Sequence, residues 1–334
     1  MSNIGILGAG TWGTALGVLL YEAGHQVTVW SALAEEVTSL SQSRRHPHLP
    51  GMEIPADIRF TEDIAAAISG MEAVVFAVPS PYIRQTARKA APFMQDGQIV
   101  VDVAKGIEAD TLFTMTEVIE SELKNPLIPT VALSGPTHAE EVALCLPTTI
   151  VSASENMDAA RRVQDMFSTD FFRVYTNDDK KGVELCGAMK NIIALAAGVS
   201  AGLGYGDNAK AAIITRGIVE ITRLGIKMGC KESTFSGLAG IGDLIVTATS
   251  KHSRNNQCGM LLGQGLKPDL AIRQVGMVVE GIHALPAAMR LSQTYQADMP
   301  IVESVYAVVH NGADPKATVL ELMRRDRKTE SIHR

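Results

Sequence analysis

Ile4-Gly5-Ile6-Leu7-Gly8-Ala9-Gly10-Thr11-Trp12-Gly13-Thr14-Ala15-Leu16-Gly17-Val18-Leu19-Leu20 is the stretch on which the reading of this chain turns. A strand-like run ends at Leu7, three glycines follow in the pattern GxGxxG, and a helical pattern opens at Thr14. The glycine pattern alone carries little weight. Between a strand and a helix each glycine acquires a distinct role. Gly8 permits the tight turn, Gly10 lets the backbone approach a pyrophosphate, and Gly13 lets helix and strand pack closely. Unpaired N–H groups and the positive end of the helix dipole then favour phosphate. A ligand-free turn and a methyltransferase loop are the competing readings.

Outward from this turn, short β-branched runs alternate with helical patterns. Candidate strands are Ile4–Leu7, Gln26–Trp30, Ala73–Val78, Ile99–Val103, Thr130–Leu133 and Thr149–Ala153, with helical patterns between them such as Thr14–Glu22 and Thr111–Leu123. Continuous apolar runs such as Ala73-Val74-Val75-Phe76-Ala77-Val78 suit strands buried on both faces, and the alternation implies βαβ units with a parallel sheet. Past Asn177-Asp178-Asp179 the strand signal fades into helical patterns broken by glycines. The reading is an α/β fold, with a Rossmann-like parallel-sheet domain over residues 1–180 and an all-α domain over 181–334 that carries substrate and catalysis.

Composition agrees with a folded two-domain chain. Its 334 residues are 46% hydrophobic, and 36 acidic against 30 basic residues give a net charge of -6. That balance disfavours a nucleic-acid partner. Four separated cysteines (Cys145, Cys186, Cys230, Cys258) argue against a zinc ribbon or a disulfide framework. No basic n-region precedes Ile4, and the most apolar stretch, Ile192–Val199, is short, so neither a signal peptide nor a membrane span is expected. A reduced, cytoplasmic protein is the expectation. The basic run Arg324-Arg325-Asp326-Arg327-Lys328 reads as a solvated helix end.

An NAD-selective site wants an acid at the end of the second strand, to hold the ribose 2′-hydroxyl. Here that strand ends Val29-Trp30-Ser31-Ala32-Leu33, with neither an acid nor an arginine, although Arg44 and Arg45 lie on a nearby segment. Use of both NAD and NADP is therefore expected.

Three segments of the second half carry chemistry. In Glu184-Leu185-Cys186-Gly187-Ala188-Met189-Lys190-Asn191 one lysine stands within an apolar helical stretch, with Gly187 and Ala194 on its face. Desolvation makes an amine a usable base, although such a lysine can also snorkel to solvent. In Gly237-Leu238-Ala239-Gly240-Ile241-Gly242-Asp243-Leu244, Asp243 is either a helix N-cap or a functional carboxylate. Thr247-Ala248-Thr249-Ser250-Lys251-His252-Ser253-Arg254-Asn255-Asn256 reads as one loop whose hydroxyls, amides and guanidinium suit an oxyanion, either phosphate or carboxylate. In the first half, Lys105 and Ser134-Gly135-Pro136-Thr137-His138 follow strands, on the edge where open α/β sheets bind ligands. His138 is read as structural, since nothing nearby reads as a catalytic Ser or Asp partner for it.

In order along nearly the whole chain, Gly8–Gly13, Ala77-Val78-Pro79-Ser80, Lys105-Gly106-Ile107, Ser134-Gly135-Pro136-Thr137-His138-Ala139-Glu140-Glu141-Val142, Lys190-Asn191, Gly206-Asp207-Asn208, Thr215-Arg216-Gly217, Gly237–Asp243 and Ser253-Arg254-Asn255 resemble the bacterial-type NAD(P)-dependent glycerol-3-phosphate dehydrogenases. That resemblance implies reversible reduction of dihydroxyacetone phosphate to sn-glycerol 3-phosphate for phospholipid synthesis. It makes Lys190 the proton acceptor. In the mechanism expected here, Lys105 and Asn191 polarise the reacting oxygen and Asp243 orients Lys190 or Lys105. The resemblance assigns Lys105, Gly135, Thr137, Asp243, Ser253, Arg254 and Asn255 to the substrate. Gly8, Gly10, Thr11, Trp12, Gly13, Ala32, Lys105, Ala139, Arg254, Val278 and Glu280 go to NAD or NADP, and a homodimer is implied. No metal is implied. Thr137 stands where the family usually has Ser, which keeps the hydroxyl, and the basic residues that often follow the second strand are absent. Local chemistry alone also allows a lysine-dependent hydroxy-acid dehydrogenase. A non-catalytic NAD(P)-sensing module would need the glycine turn but not Lys105, Lys190 and Asp243 together.

Overall fold

Ala73-Val74-Val75-Phe76 lies in the middle of a sheet, buried on both faces. Ala73 and Val75 pack with Ile4, Ile6, Val27 and Val29, whereas Val74 and Phe76 pack with Leu7, Trp30 and Val100. This is the two-residue alternation of a strand covered on both sides. The structure is a computed structural model that describes residues 1–327, 329 and 330. Arg324 closes the last helix, but Lys328 of the basic run lies outside the described residues.

The chain forms two units, one of Met1–Lys105 with Phe113–Lys180, the other of Gly106–Leu112 with the chain from Lys181 onward. The first contains β1 (Asn3–Leu7), α1 (Thr11–Glu22), β2 (Gln26–Trp30), α2 (Ala34–Ser43), β3 (Arg59–Thr61), β4 (Ala73–Phe76), α3 (Ile83–Ala90), β5 (Ile99–Asp102), α4 (Met115–Leu123), β6 (Thr130–Ser134), α5 (Ala139–Ala143), β7 (Thr148–Ala153), α6 (Met157–Phe167) and β8 (Phe172–Asn177). Helices follow: α7 (Lys180–Gly202), α8 (Asp207–Lys227), α9 (Glu232–Phe235), α10 (Asp243–Thr249), α11 (Arg254–Gly263), α12 (Pro268–Val275), α13 (Glu280–Thr294), α14 (Pro300–His310) and α15 (Pro315–Arg324).

The sheet runs β3-β2-β1-β4-β5-β6-β7-β8. Pairing from β3 through to β6 is parallel, so Leu7, Trp30, Phe76 and Asp102 end their strands in line. The order reverses between β1 and β4, and such a switch point opens a crevice at the strands' carboxyl ends.

Four sequence expectations need correction. β7 is antiparallel to β6, so the sheet is not wholly parallel. Two strands were missed: β3 is three residues at an edge, and β8 alternates buried and exposed positions instead of reading as an apolar run. The helix expected from Thr111 begins at Met115, because Thr114 and Glu117 form a reciprocal capping box. Finally, the short apolar stretch belongs to α7, whose 23 residues are long and apolar enough to cross a membrane. Yet 83% of its most apolar window is buried inside protein, so its apolarity is that of a core helix. A Cβ on Gly198 would stand 2.1 Å from the Asn256 carbonyl oxygen, and one on Gly259 2.1 Å from that of Leu195. Glycine therefore lets α7 and α11 meet backbone to backbone.

Glu220 of α8 is 3% exposed and accepts hydrogen bonds from the Ile301 and Val302 N–H groups in the first turn of α14. Burial pushes its carboxyl up to about 8, with Asp298 adding to the rise, while those N–H groups and Arg223 oppose it. The folded chain therefore binds a proton that the unfolded chain has already released above its ordinary carboxylate range. This contribution to stability is full at low pH and is lost as pH rises towards 8. Glu220→Gln, which has no proton to lose, should gain on the wild type between pH 5.5 and 8. The gain should approach about 1.4 kcal/mol per pH unit, read from urea midpoints. A wild-type-to-variant difference independent of pH would refute the assignment.

Candidate functional site

In the first unit, five loops leave the carboxyl ends of β1, β2, β4, β5 and β6. The β1 loop is Gly8-Ala9-Gly10. Gly8 adopts φ +128, and a Cβ there would lie 2.7 Å from the Ala77 carbonyl. A Cβ on Gly13 would lie 2.0 Å from the Gly8 oxygen, so turn and helix close on each other. A Cβ on Gly10, by contrast, would meet nothing within 4 Å. α1 starts there with no side-chain cap and no acid in its first turn. An open backbone at an uncompensated helix N-terminus fits the pyrophosphate of a dinucleotide. Thr11 and Trp12 form the first turn, both half-buried.

Beyond β5, Lys105 Nζ donates to the Gly135 carbonyl at 3.1 Å, and Thr137 Oγ1 donates to the same oxygen at 3.2 Å. One carbonyl thus gathers an ammonium and a hydroxyl from two neighbouring loops. Ala139 follows as the first residue of α5, with His138 at its N-cap position. Ala32 lies exposed just past β2. Its neighbour Ser31 is 4% exposed and donates through Oγ to Glu36 Oε2 at 2.5 Å. A carboxylate from the first turn of α2 thus reaches the residue just past the strand end. Sequence inspection limited to Val29–Leu33 misses it.

In the second unit, Lys190 is 6% exposed. Its Nζ donates to Asp243 Oδ1 at 2.6 Å and to Thr247 Oγ1 at 2.5 Å. Lys190 is thus held inside the protein by Asp243 and Thr247 and does not snorkel to solvent. Asp243 opens α10 as its first helical residue rather than as its N-cap, which is Gly242. The preceding π-helical turn, Leu238–Gly242, is kinked at Gly240, where a Cβ would lie 2.1 Å from the Phe235 carbonyl oxygen. Thr247 stands one turn beyond Asp243, on the same face.

The expected single oxyanion loop is split by this arrangement. Thr247 to Thr249 end α10, Ser253 caps α11 by accepting the Asn256 N–H at 3.2 Å, and Arg254 is the first helical residue, exposed. Asn255 is buried. Its Nδ2 donates to Asn191 Oδ1 at 3.1 Å, and its Oδ1 accepts the Gly281 N–H at 2.8 Å. Asn191 Nδ2 in turn donates to Glu280 Oε2 at 3.3 Å. Asn191, Asn255 and Glu280 therefore form one chain of hydrogen bonds joining α7, α11 and α13, with half-buried Val278 just before α13. Thr247, singled out in the sequence for an oxyanion, is brought to Lys190 instead.

Residues 3–160 match the model of the NAD-dependent glycerol-3-phosphate dehydrogenase N-terminus, and residues 179–320 that of the C-terminus. The chain is 59% identical over 334 residues to glycerol-3-phosphate dehydrogenase (NAD(P)+) 2 of Lactobacillus delbrueckii subsp. bulgaricus, covering 99% of each. It is 51% identical over 331 residues to the glycerol-3-phosphate dehydrogenase (NAD(P)+) of Agathobacter rectalis, covering 99% of this chain and 98% of that one. Among solved structures, the glycerol-3-phosphate dehydrogenase of Coxiella burnetii superposes with a TM-score of 0.93 at 36% identity, over 97% of this chain and 99% of that one.

The two steric environments in the glycine turn predict a separation of stability from binding. Gly13→Val should be destabilised by about 3 kcal/mol or more, since backbone lies where its Cβ must go. Gly10→Val should cost about 1 kcal/mol of capping while weakening NADH binding at least about tenfold. Urea melts and fluorescence titration with NADH measure the two. Equal stability losses would contradict the distinction.

Proposed function

We propose, because this chain belongs to the NAD-dependent glycerol-3-phosphate dehydrogenase family, that it interconverts dihydroxyacetone phosphate and sn-glycerol 3-phosphate with NAD(H) or NADP(H). The observation that carries the mechanism is the buried Lys190 ammonium held by Asp243 and Thr247. When bound at the Gly8–Gly13 turn, the nicotinamide cofactor supplies or accepts the hydride exchanged at C2 of the substrate. Lys190 Nζ delivers a proton to the C2 oxygen on reduction and takes it back on oxidation. Asp243 and Thr247 fix where Nζ points, so that no side-chain freedom is lost at the moment of reaction.

Arg254 is the residue we assign to the substrate phosphate. It is exposed at the first position of α11, where its charge adds to the N-terminal dipole of a ten-residue helix. Ser253 and Asn255, also read from the sequence as phosphate ligands, spend their side chains on a cap and on the asparagine chain. Their role in this reading is to hold Arg254 in place. Asn191 is held by the same chain of hydrogen bonds, close to Lys190 along α7. Lys105, with Gly135 and Thr137, adds a positive charge at the sheet edge beside the cofactor turn.

The product supplies the glycerol backbone of phospholipids. Four cysteine thiols, three of them buried, suit a reducing cytoplasm. A homodimer is inferred from the family resemblance. Oxidation of NADH or NADPH on addition of dihydroxyacetone phosphate tests the assignment, and a purified, folded chain that oxidises neither would overturn it.

Lys190→Met should lower kcat by about 10²–10⁴ with cofactor affinity nearly unchanged. A variant turning over at the wild-type rate removes Lys190 from the mechanism. Arg254→Ala should reduce kcat/KM for dihydroxyacetone phosphate about ten- to a hundredfold, the worth of hydrogen bonds to a charged group. Arg254→Lys should recover only part of the loss, as an ammonium lacks the planar fork. Dihydroxyacetone, which has no phosphate, should be a poor substrate of the wild type and should suffer little further from Arg254→Ala. Equal losses on the two substrates would move Arg254 away from the phosphate.

A further inference from the structure

We infer that Glu36 makes this chain prefer NAD(H) over NADP(H), by accepting hydrogen bonds from the adenosine ribose and repelling a 2′-phosphate; the inference rests on the dinucleotide reading of the first unit. The glycine turn and the end of β2 are tied together, since Gly8 N donates to the Trp30 carbonyl at 2.8 Å. The next residue, Ser31, is held in line by its N–H, which donates to the Thr61 carbonyl at 3.1 Å. Ser31 Oγ accepts the Leu33 N–H at 3.1 Å and donates to Glu36 Oε2 at 2.5 Å. A half-buried carboxylate is thus folded back from α2 onto the carboxyl end of β2, where doubly wound folds keep the acid that binds a ribose 2′-hydroxyl. Ser31 occupies one carboxylate oxygen and leaves Oε1 as an acceptor.

The surrounding charge points the same way. Ser31 to Ser43 contains Glu35 and Glu36 but no Lys or Arg. Arg44, the nearest cation along the chain, is the left-handed cap of α2 and is engaged elsewhere. Its Nη1 donates to the Pro55 and Ile58 carbonyls at 3.3 and 2.8 Å, and its guanidinium lies over Phe60. Arg45 pairs with Glu53 at 3.4 Å. Arg59 is registered with Thr28, behind the strand edge that Trp30 and Thr61 form. A 2′-phosphate brings further negative charge to a carboxylate that Ser31, not a cation, holds in place. The competing role for Glu36 is a purely local one, an acid complementing the dipole of α2.

Direct binding separates these roles without turnover. Fluorescence titration of the full-length wild type should give an NADPH Kd at least about tenfold above that for NADH, the range for a charge-assisted hydrogen bond. Glu36→Gln should tighten NADPH, weaken NADH and shrink the ratio by about tenfold, whereas Glu35→Gln should leave it unchanged. Competition on the wild type gives a second measurement, in which 5′-AMP should displace NADH better than adenosine 2′,5′-bisphosphate. Equal or tighter NADPH binding by the wild type overturns the inference, as does a Glu36→Gln variant that weakens both cofactors alike. Loss of dihydroxyacetone phosphate reduction with NADH preference intact would overturn the proposed function and leave this inference standing.

Discussion

An ammonium group 6% exposed in the middle of a core helix is tolerable only if a counter-charge reaches it. Asp243 does so at 2.6 Å. Either group buried alone would carry a desolvation penalty of several kcal/mol. The architecture of the second unit serves this contact. Gly240 lets the π-helical turn close on the Phe235 backbone, and the chain then enters α10 with Asp243 at its positive end, where a carboxylate is favoured. Thr247, one turn later, accepts a second donor of the same lysine. The proton transfer proposed for Lys190 and the packing of the core therefore rest on one group of side chains, and changing any member should alter both.

The same economy governs the helices around that lysine. Glycines bring the backbones of α7 and α11 into contact, and this places Asn255 beside Asn191. Both amides are buried, and both find partners, with the Gly281 N–H and the Glu280 carboxylate completing the chain. A satisfied buried network of this kind holds its members rigidly. What it leaves to solvent is Arg254, a cation on a helix start fixed from below.

In the first unit the constraint is the in-line ending of parallel strands. It collects loops distant in sequence on one edge, and the Gly135 carbonyl there draws Lys105 and Thr137 together. Such an edge offers unpaired N–H groups at Gly10–Thr11, positive charge at Lys105 and negative charge at Glu36. A dinucleotide, with its pyrophosphate in the middle and the adenosine ribose to one side, matches that distribution of charge.

Features of short range were legible in the amino-acid sequence. The glycine turn, the doubly buried strands and the change from strand to helix patterns near residue 180 all arise from local sterics and hydrophobic period, and they determined the fold class. Lys190 was legible for a related reason, since one charge in an apolar helical stretch is an anomaly at any level of description. β3 and β8 were not, because edge strands need no continuous apolar run, and the reversal at β7 leaves no local mark. The partners were hidden as well. That Asp243 reaches Lys190, that Asn255 reaches Asn191 and that Glu36 returns to the end of β2 depend on which elements lie against one another. Propensity acts over a few residues, whereas these contacts are decided by the packing of whole helices and strands, so only the tertiary structure could assign them.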